Sequence, residues 1–243
     1  TLVQHFPSMI DRLHLYDIVV TVIPGSLLVC AVTVLFPGGT VPFRAIGLPS
    51  EFTVIALVAA SMVAGLVVQT AGSAIERPLF RVFGGRPSDR ALEGTLGARY
   101  LPADAARRIE TKLRSRFGET ASKHALFLGA MNLAESVADS KAAAFNAQFG
   151  HLRAVFTLFL LTLGLVASSR IWGAAASWEA ALYGVSLSTS FVLAGLFAWR
   201  TWQRGAYYAR EVLLTAERLI DDQSIVTAHT SPKTDPQKGT VYE

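Results

Sequence analysis

The stretch TVIALVAASMVAGLVVQTAGSAI, residues 53–75, decides how the rest of the chain is read. It runs for 23 residues without a charged side chain. A helix that crosses the hydrocarbon core of a bilayer needs about 20 predominantly apolar residues. Three further stretches share this character: Ile18–Phe36, Leu152–Ser169 and Ala180–Trp199. In the third, Arg153 stands at the end, where its guanidinium can snorkel to the headgroups. A buried core helix of a soluble protein explains any one of these stretches, but poorly explains four in a chain of 243 residues.

Composition agrees. Only 16% of the residues are charged and 51% are hydrophobic, whereas a soluble domain carries about 25% charged residues. The same figures exclude a disordered chain, a collagen-like repeat and a disulfide scaffold. The single cysteine, Cys30, can form no internal disulfide and is read as a packing residue in mid-span. The stretch 18–36 exceeds the apolar run of a signal peptide, follows Asp11 and Asp17, and has no small-x-small cleavage site after it. It is therefore read as a retained span.

Charge gives the sidedness. Lys and Arg number 13 from Glu76 to Arg153 and 6 from Arg200 onward, and Arg12 stands in the N-terminal arm. The remaining two connections hold only Arg44 and Arg170. By the positive-inside rule both termini and the middle segment are expected in the cytoplasm, with the spans in a bacterial inner membrane. The net charge of +4 is thereby a topology signal, and the partner expected for it is anionic headgroups, with no nucleic acid. Tyr16, Trp199 and Trp202 at the inner ends, and Trp172 and Trp178 around an outer loop, read as an aromatic belt.

The expected fold is all-α and polytopic, with four transmembrane helices. Its divisions are an N-terminal arm with the first two spans (1–75), a cytoplasmic helical insert (76–151), the third and fourth spans (152–199), and a cytoplasmic helix with a mobile tail beyond Asp222 (200–243). In the insert, Gly84, Gly85 and Pro87 mark an irregular stretch. Pro102 and Asp104 then open a helix that Gly118 closes. Ala105, Ile109, Leu113 and Phe117 form its apolar side, while Arg107, Arg108, Lys112, Arg114 and Arg116 crowd the rest. Such a basic surface helix either lies on anionic headgroups or packs on its neighbours with the arginines solvated.

From Ala121 a helical stripe continues through Phe127, Met131, Ala134, Ala138, Ala142, Phe145, Phe149 and Leu152 without a proline. It predicts that the third membrane helix extends roughly 40 Å into the cytoplasm. Trp202, Ala206, Ala209, Leu213, Ala216 and Ile220 give the fourth an a/d-type seam. The two extensions are expected to pair as a coiled-coil-like stalk.

No catalytic, cofactor-binding or metal-ligating constellation is expected. The five histidines lack ligand spacing, and Gly84-Gly85 lacks the Gly-Lys-Ser/Thr ending of a phosphate loop. Polar residues at membrane depth are the better leads. Asp17, Glu76, Arg77, Arg153 and Arg200 fall at one inner level, where ionisable groups are costly unless paired. Asp17 or Glu76 is expected to pair with Arg153 or Arg200; a gate for ions at that inner mouth is the alternative. Pro24-Gly25 predicts a kink in the first span, as a hinge or as packing. Ser61 with Gly65, Gly164 with Ser168 and Gly184 with Ser188 offer small-residue contact faces for a tight bundle or a homo-oligomer.

Tyr16-Asp17 followed by Ile23-Pro24-Gly25, the second-span ending from Gln69 to Glu76, and the Ala147-Gln148-Phe149-Gly150 lead-in to Arg153 resemble small bacterial four-helix membrane proteins found near anti-phage defence genes. The resemblance covers the membrane frame and inner helix ends and supplies no catalytic residue. It implies a partner-coupled membrane component, an effector that perturbs the membrane on infection. Two functions are therefore expected in competition. One is a non-enzymatic inner-membrane protein whose cytoplasmic helices receive a soluble protein partner or signal. The other is an oligomeric pore.

Overall fold

The computed structural model describes the backbone of residues 6–35, 50–137, 141–171 and 180–230, and side chains over 20–35, 52–137, 141–171 and 181–223. Every regular element among them is a helix: α1 (Phe6–Leu35), α2 (Ser50–Val82), α3 (Pro87–Leu92), α4 (Ala103–Phe117), α5 (Lys123–Glu135), α6 (Lys141–Ile171) and α7 (Ala180–Thr230). Three stretches are long and apolar enough to cross a membrane: Phe52–Val82, Lys141–Ile171 and Ala181–Gln223, with peak mean hydropathies of 2.2, 1.8 and 1.6. Val20–Leu35 is a shorter apolar helix. Trp172, Trp178 and the side chains of Tyr16 and Asp17 lie outside the described residues.

The chain divides into two compact units. The first comprises residues 1–87 and 144–206, the second 88–143 and 207–243. In the first unit α1 and α2 touch backbone to backbone. A Cβ added at Gly25 would overlap the Ser61 carbonyl, and one added at Gly65 would overlap the Thr21 carbonyl. Small residues thus let two apolar helices approach where side-chain bulk would hold them apart. A polar tie adds to the contact, the Gln69 Nε2 donating to Thr21 Oγ1 at 2.8 Å. α6 joins through Ala154 and Leu158, packed with Val68. α7 joins through Ala198, in one cluster with Leu79 and Phe156. Among the described residues Gly164 and Gly184 meet no atom within 4 Å of an added Cβ, whereas the Ser61/Gly65 face is packed against α1.

The second unit holds α3, α4, α5 and the later part of α7. Gly118, at φ 112°, ends α4 in a conformation that glycine adopts without strain. Ser122 caps α5, its hydroxyl accepting from the Ala125 N–H at 3.2 Å. Ile109 and Leu113 of α4, Leu126 and Ala130 of α5, and Val212, Leu213 and Ala216 of α7 are fully buried. Tyr100 meets Tyr207 edge to face at 5.1 Å, and Phe127 meets Tyr208 at 6.4 Å.

Several expectations change. The long helix from Ala121 is broken, because α5 stops at Glu135 and Ser136–Val137 is not helical. There the Ser136 N–H and Oγ both turn back to the Leu133 carbonyl, at 3.2 and 2.7 Å, a local bond that competes with helix continuation. α6 begins at Lys141, so it leads into the third stretch by roughly 17 Å rather than roughly 40 Å. α2 runs through Pro78 to Val82, past the expected end at Ile75. α7 remains helical to Thr230, where a mobile tail beyond Asp222 is predicted. Pro24, where the kink is expected, is buried inside α1, and the helix runs on past it with or without that kink. On α4 the buried face is Ala106, Ile109 and Leu113, while Phe117 is exposed. Trp202 is buried against Phe83 (ring centroids 5.9 Å apart) and is no interfacial belt residue.

The glycine contact yields the first prediction. Gly65→Val forces the Thr21 carbonyl away and lowers stability by about 1–3 kcal/mol, whereas Gly164→Val has no such effect. Thermal unfolding of the two purified variants in one detergent reads the difference, and equal midpoints would contradict the contact.

Candidate functional site: two charged centres

Charge that apolar helices carry must be neutralised locally, and each unit contains a centre where an ion pair joins two long helices. In the first unit, Arg153 of α6 donates from Nη1 to Glu76 Oε2 of α2 at 2.7 Å. Both side chains are about three-quarters buried. The guanidinium also lies over the Phe149 ring, 5.6 Å from its centroid. Gly72, one turn before Glu76, makes room: a Cβ there would lie 2.9 Å from Thr157 Oγ1 and 3.4 Å from Arg153 Cγ. The Thr157 hydroxyl in turn donates to the Arg153 carbonyl at 2.8 Å.

Of the pairings that the sequence suggests, Glu76 with Arg153 is the one that the structure brings together. Among the described residues Arg200 donates to Gln203, three positions on in α7, at 3.3 Å, and not to a carboxylate. Arg77 is exposed. The side chain of Asp17 lies outside the described residues.

The second centre is a ladder that sequence reasoning missed. Glu217 of α7 accepts from Arg108 Nε at 2.8 Å and from Lys112 Nζ at 3.0 Å, and Lys112 also donates to Asp221 at 2.8 Å. Arg108 and Lys112 lie one turn apart on α4, as Glu217 and Asp221 do on α7, so two like-charged rows face each other with opposite signs. Glu217 is nearly buried, with its side chain 11% exposed, whereas Arg108 is 55% exposed. The hydrogen bond from Arg108, then that from Lys112, holds the Glu217 carboxyl below its ordinary range against the opposing effect of burial. Its bond to Asp221 raises Lys112. Glu217 lies 18 positions beyond Trp199, the last residue of the apolar stretch 180–199.

The signal for this ladder is visible in retrospect. Glu217 directly follows the seam residue Ala216, and an acidic residue one turn on matches the spacing of Arg108 and Lys112. Arg114 serves the fold instead. It pairs with Glu110 at 2.8 Å and donates to the carbonyls of Glu119 and Ala121 at 2.7 and 3.1 Å, fastening the turn between α4 and α5. Of the five basic residues of α4, Arg107 and Arg116 are exposed and form no ion pair among the described residues.

No family model, curated protein or solved structure matches this chain. What the two centres can do therefore rests on their chemistry. Each is an ion-paired set of donors and acceptors that joins two helices, suited to fastening them and to release by charge change. Neither presents a nucleophile activated by a base.

Two outcomes follow. Because the Glu217 pKa is lowered on folding, its contribution is complete above the ordinary carboxylate value of 4.5 and is lost as pH falls through the lowered value. The protection of amides 103–117, as exchange relative to the intrinsic rate at each pH, is expected to fall on acidification in the wild type, and Glu217→Gln to remove that dependence while costing about 1.5–3 kcal/mol at neutral pH. An unchanged acid response in Glu217→Gln would contradict the ladder. For the first centre, Glu76→Arg and Arg153→Glu each destabilise the chain, and the double reversal regains part of the loss in the same unfolding assay.

Proposed function

We propose that this chain is a non-enzymatic bacterial inner-membrane protein with four transmembrane helices (18–36, 53–75, 152–169 and 180–199) and both termini in the cytoplasm. Its second unit receives a soluble protein partner or signal and couples it to the membrane bundle. The observation that carries this reading is α7. One uninterrupted helix bears the apolar stretch 180–199 and, further along, the buried carboxylate of the ladder. A partner that competes for Arg108 or Lys112 acts on a helix whose earlier turns belong to the bundle. The skewed Lys and Arg count supports the sidedness, and the resemblance of the inner helix ends supports a role in anti-phage defence.

A second reading, an oligomeric pore, draws on a separate feature of α7. Thr162 of α6 and Ser186, Thr189 and Ser190 of α7 line an open crevice of about 360 Å³ with apolar neighbours. Elsewhere on these helices hydroxyls bond back to their own carbonyls, as Ser169 does to Val166 and Thr201 to Phe197. Hydroxyls not spent in that way can face a partner copy or water.

Charge reversal at the ladder separates the readings. With the full chain in lipid nanodiscs, Glu217→Lys is expected to change amide exchange over residues 190–205 by roughly two- to thirtyfold, the range of a 0.5–2 kcal/mol coupling. Exchange identical to wild type there would sink the coupling. Release of an encapsulated dye from liposomes bearing the wild-type chain would favour the pore.

A further inference from the structure

The crevice between α1, α6 and α7 lies within the first unit, and three of its properties define what it can hold. The first is chemistry. Thr162 of α6 and Ser186, Thr189 and Ser190 of α7 line it among Ala, Val, Leu and Phe side chains, with no charged one. Such a site admits a neutral ligand, because an ion without a countercharge is too costly among apolar walls. Its hydroxyls are also unspent. Ser26, Thr70, Thr157 and Ser168 bond back to carbonyls of their own helices, whereas none of the four in the crevice bonds within the described residues. Ser190 is 8% exposed, and a hydroxyl so withdrawn from solvent calls for a partner from whatever fills the space.

The second property is size and shape. A volume of about 360 Å³ falls in the range of small-molecule sites, roughly 300–1,000 Å³. It takes a ring and the start of a chain, but not a helix about 10 Å across. Phe159, stacked on Phe197 with centroids 5.4 Å apart, brings an aromatic ring to the wall, and planar rings pack favourably on one another. Ser186 and Ser190 stand one turn apart on α7, roughly 6 Å along the axis, close to the separation of the two carbonyl oxygens across a quinone ring. The third property is access. Val34 and Val185 on the lining are 62% and 64% exposed. All the lining positions fall within the stretches 18–36, 152–169 and 180–199, so the mouth opens on hydrocarbon and its ligand arrives through lipid.

We propose that this crevice binds a membrane-soluble quinone, its ring beside Phe159 and its carbonyl oxygens accepting from Ser186 and Ser190, with Thr162 reaching it from α6. A lipid tail would fill the apolar part and leave the hydroxyls unmet, whereas a quinone satisfies both. Binding alone is assigned, and the inference rests on the membrane reading above.

The test uses the full chain in a non-ionic detergent, with decyl-1,4-benzoquinone and decylbenzene as probes and equilibrium dialysis as readout. Wild type is expected to take up the quinone saturably and to bind decylbenzene, which lacks the carbonyls, about tenfold or more less tightly. Each alanine removes one hydrogen bond, a loss of roughly two- to tenfold, so S186A/S190A binds the quinone roughly four- to hundredfold more weakly. S186F fills the crevice and abolishes uptake. S188A, on a separate crevice with Leu163 and Phe191, keeps the wild-type affinity. Equal quinone affinity in wild type and S186A/S190A, decylbenzene bound as tightly as the quinone, or an equal loss in S188A overturns the site. So does the lack of saturable uptake by wild type, the result expected if water fills the crevice as in a pore. Should S186A/S190A misfold, the nearly isosteric T162V is expected to show the single loss, and no loss overturns the proposal. Alkaline extraction of wild-type membranes reads the membrane assignment separately. Chain in the pellet with no quinone uptake counts against the site alone, whereas chain in the supernatant counts against the membrane reading.

Discussion

Apolar surface without enough protein to cover it governs this molecule. The helices α2 and α7 carry Val54, Ile55, Val63, Leu66, Phe191 and Val192 more than half exposed, over stretches with few charges. Water disfavours such a surface at about 25 cal/mol per Å², whereas lipid tails accept it. Within hydrocarbon the hydrophobic effect no longer drives helices together, so close packing of small residues and polar ties must do it. The Gly25/Gly65 contact and the Gln69–Thr21 bond answer that need.

Where the apolar stretches end, charge has to be settled. Glu76 and Arg153 neutralise each other across two helices, with Gly72 admitting the arginine stem. In the second unit the ladder of Arg108, Lys112, Glu217 and Asp221 solves a different problem, since a carboxylate nearly buried among alanine and leucine is tolerable only when it is paired. Breaking one partner of such a pair costs more than the pair contributes. That asymmetry suits a latch, which is stable until a competing charge arrives.

Much of this was legible in the residues. Uncharged runs of helical length, Pro102 and Gly118 at the ends of α4, and the spacing of Ser61 and Gly65 each act through local chemistry that the sequence displays. Glu76 and Arg153 were readable because an unpaired charge beside an apolar stretch is so costly. The break after Glu135 was not, since neither glycine nor proline marks it and Ser136 acts through a bond to Leu133 that a continuing helix could have replaced. The face of α4 was misread by one position because Ala105 and Ala106 look alike to a periodicity, while Phe117 lies against Gly129 rather than in the core. Glu217 was hidden in a tail whose charges balance, as nothing in a count says which carboxylate is buried.

The central claim is that the apolar helices span a membrane with the α4 segment on its cytoplasmic side. Single cysteines placed at Thr40 and Ser115 in a Cys30→Ala background, treated in intact cells with a membrane-impermeant thiol reagent, test it most directly. The account predicts labelling at position 40 and protection at 115 until the membrane is permeabilised. Labelling at 115 in intact cells, or protection at both positions after permeabilisation of the outer membrane alone, would contradict it.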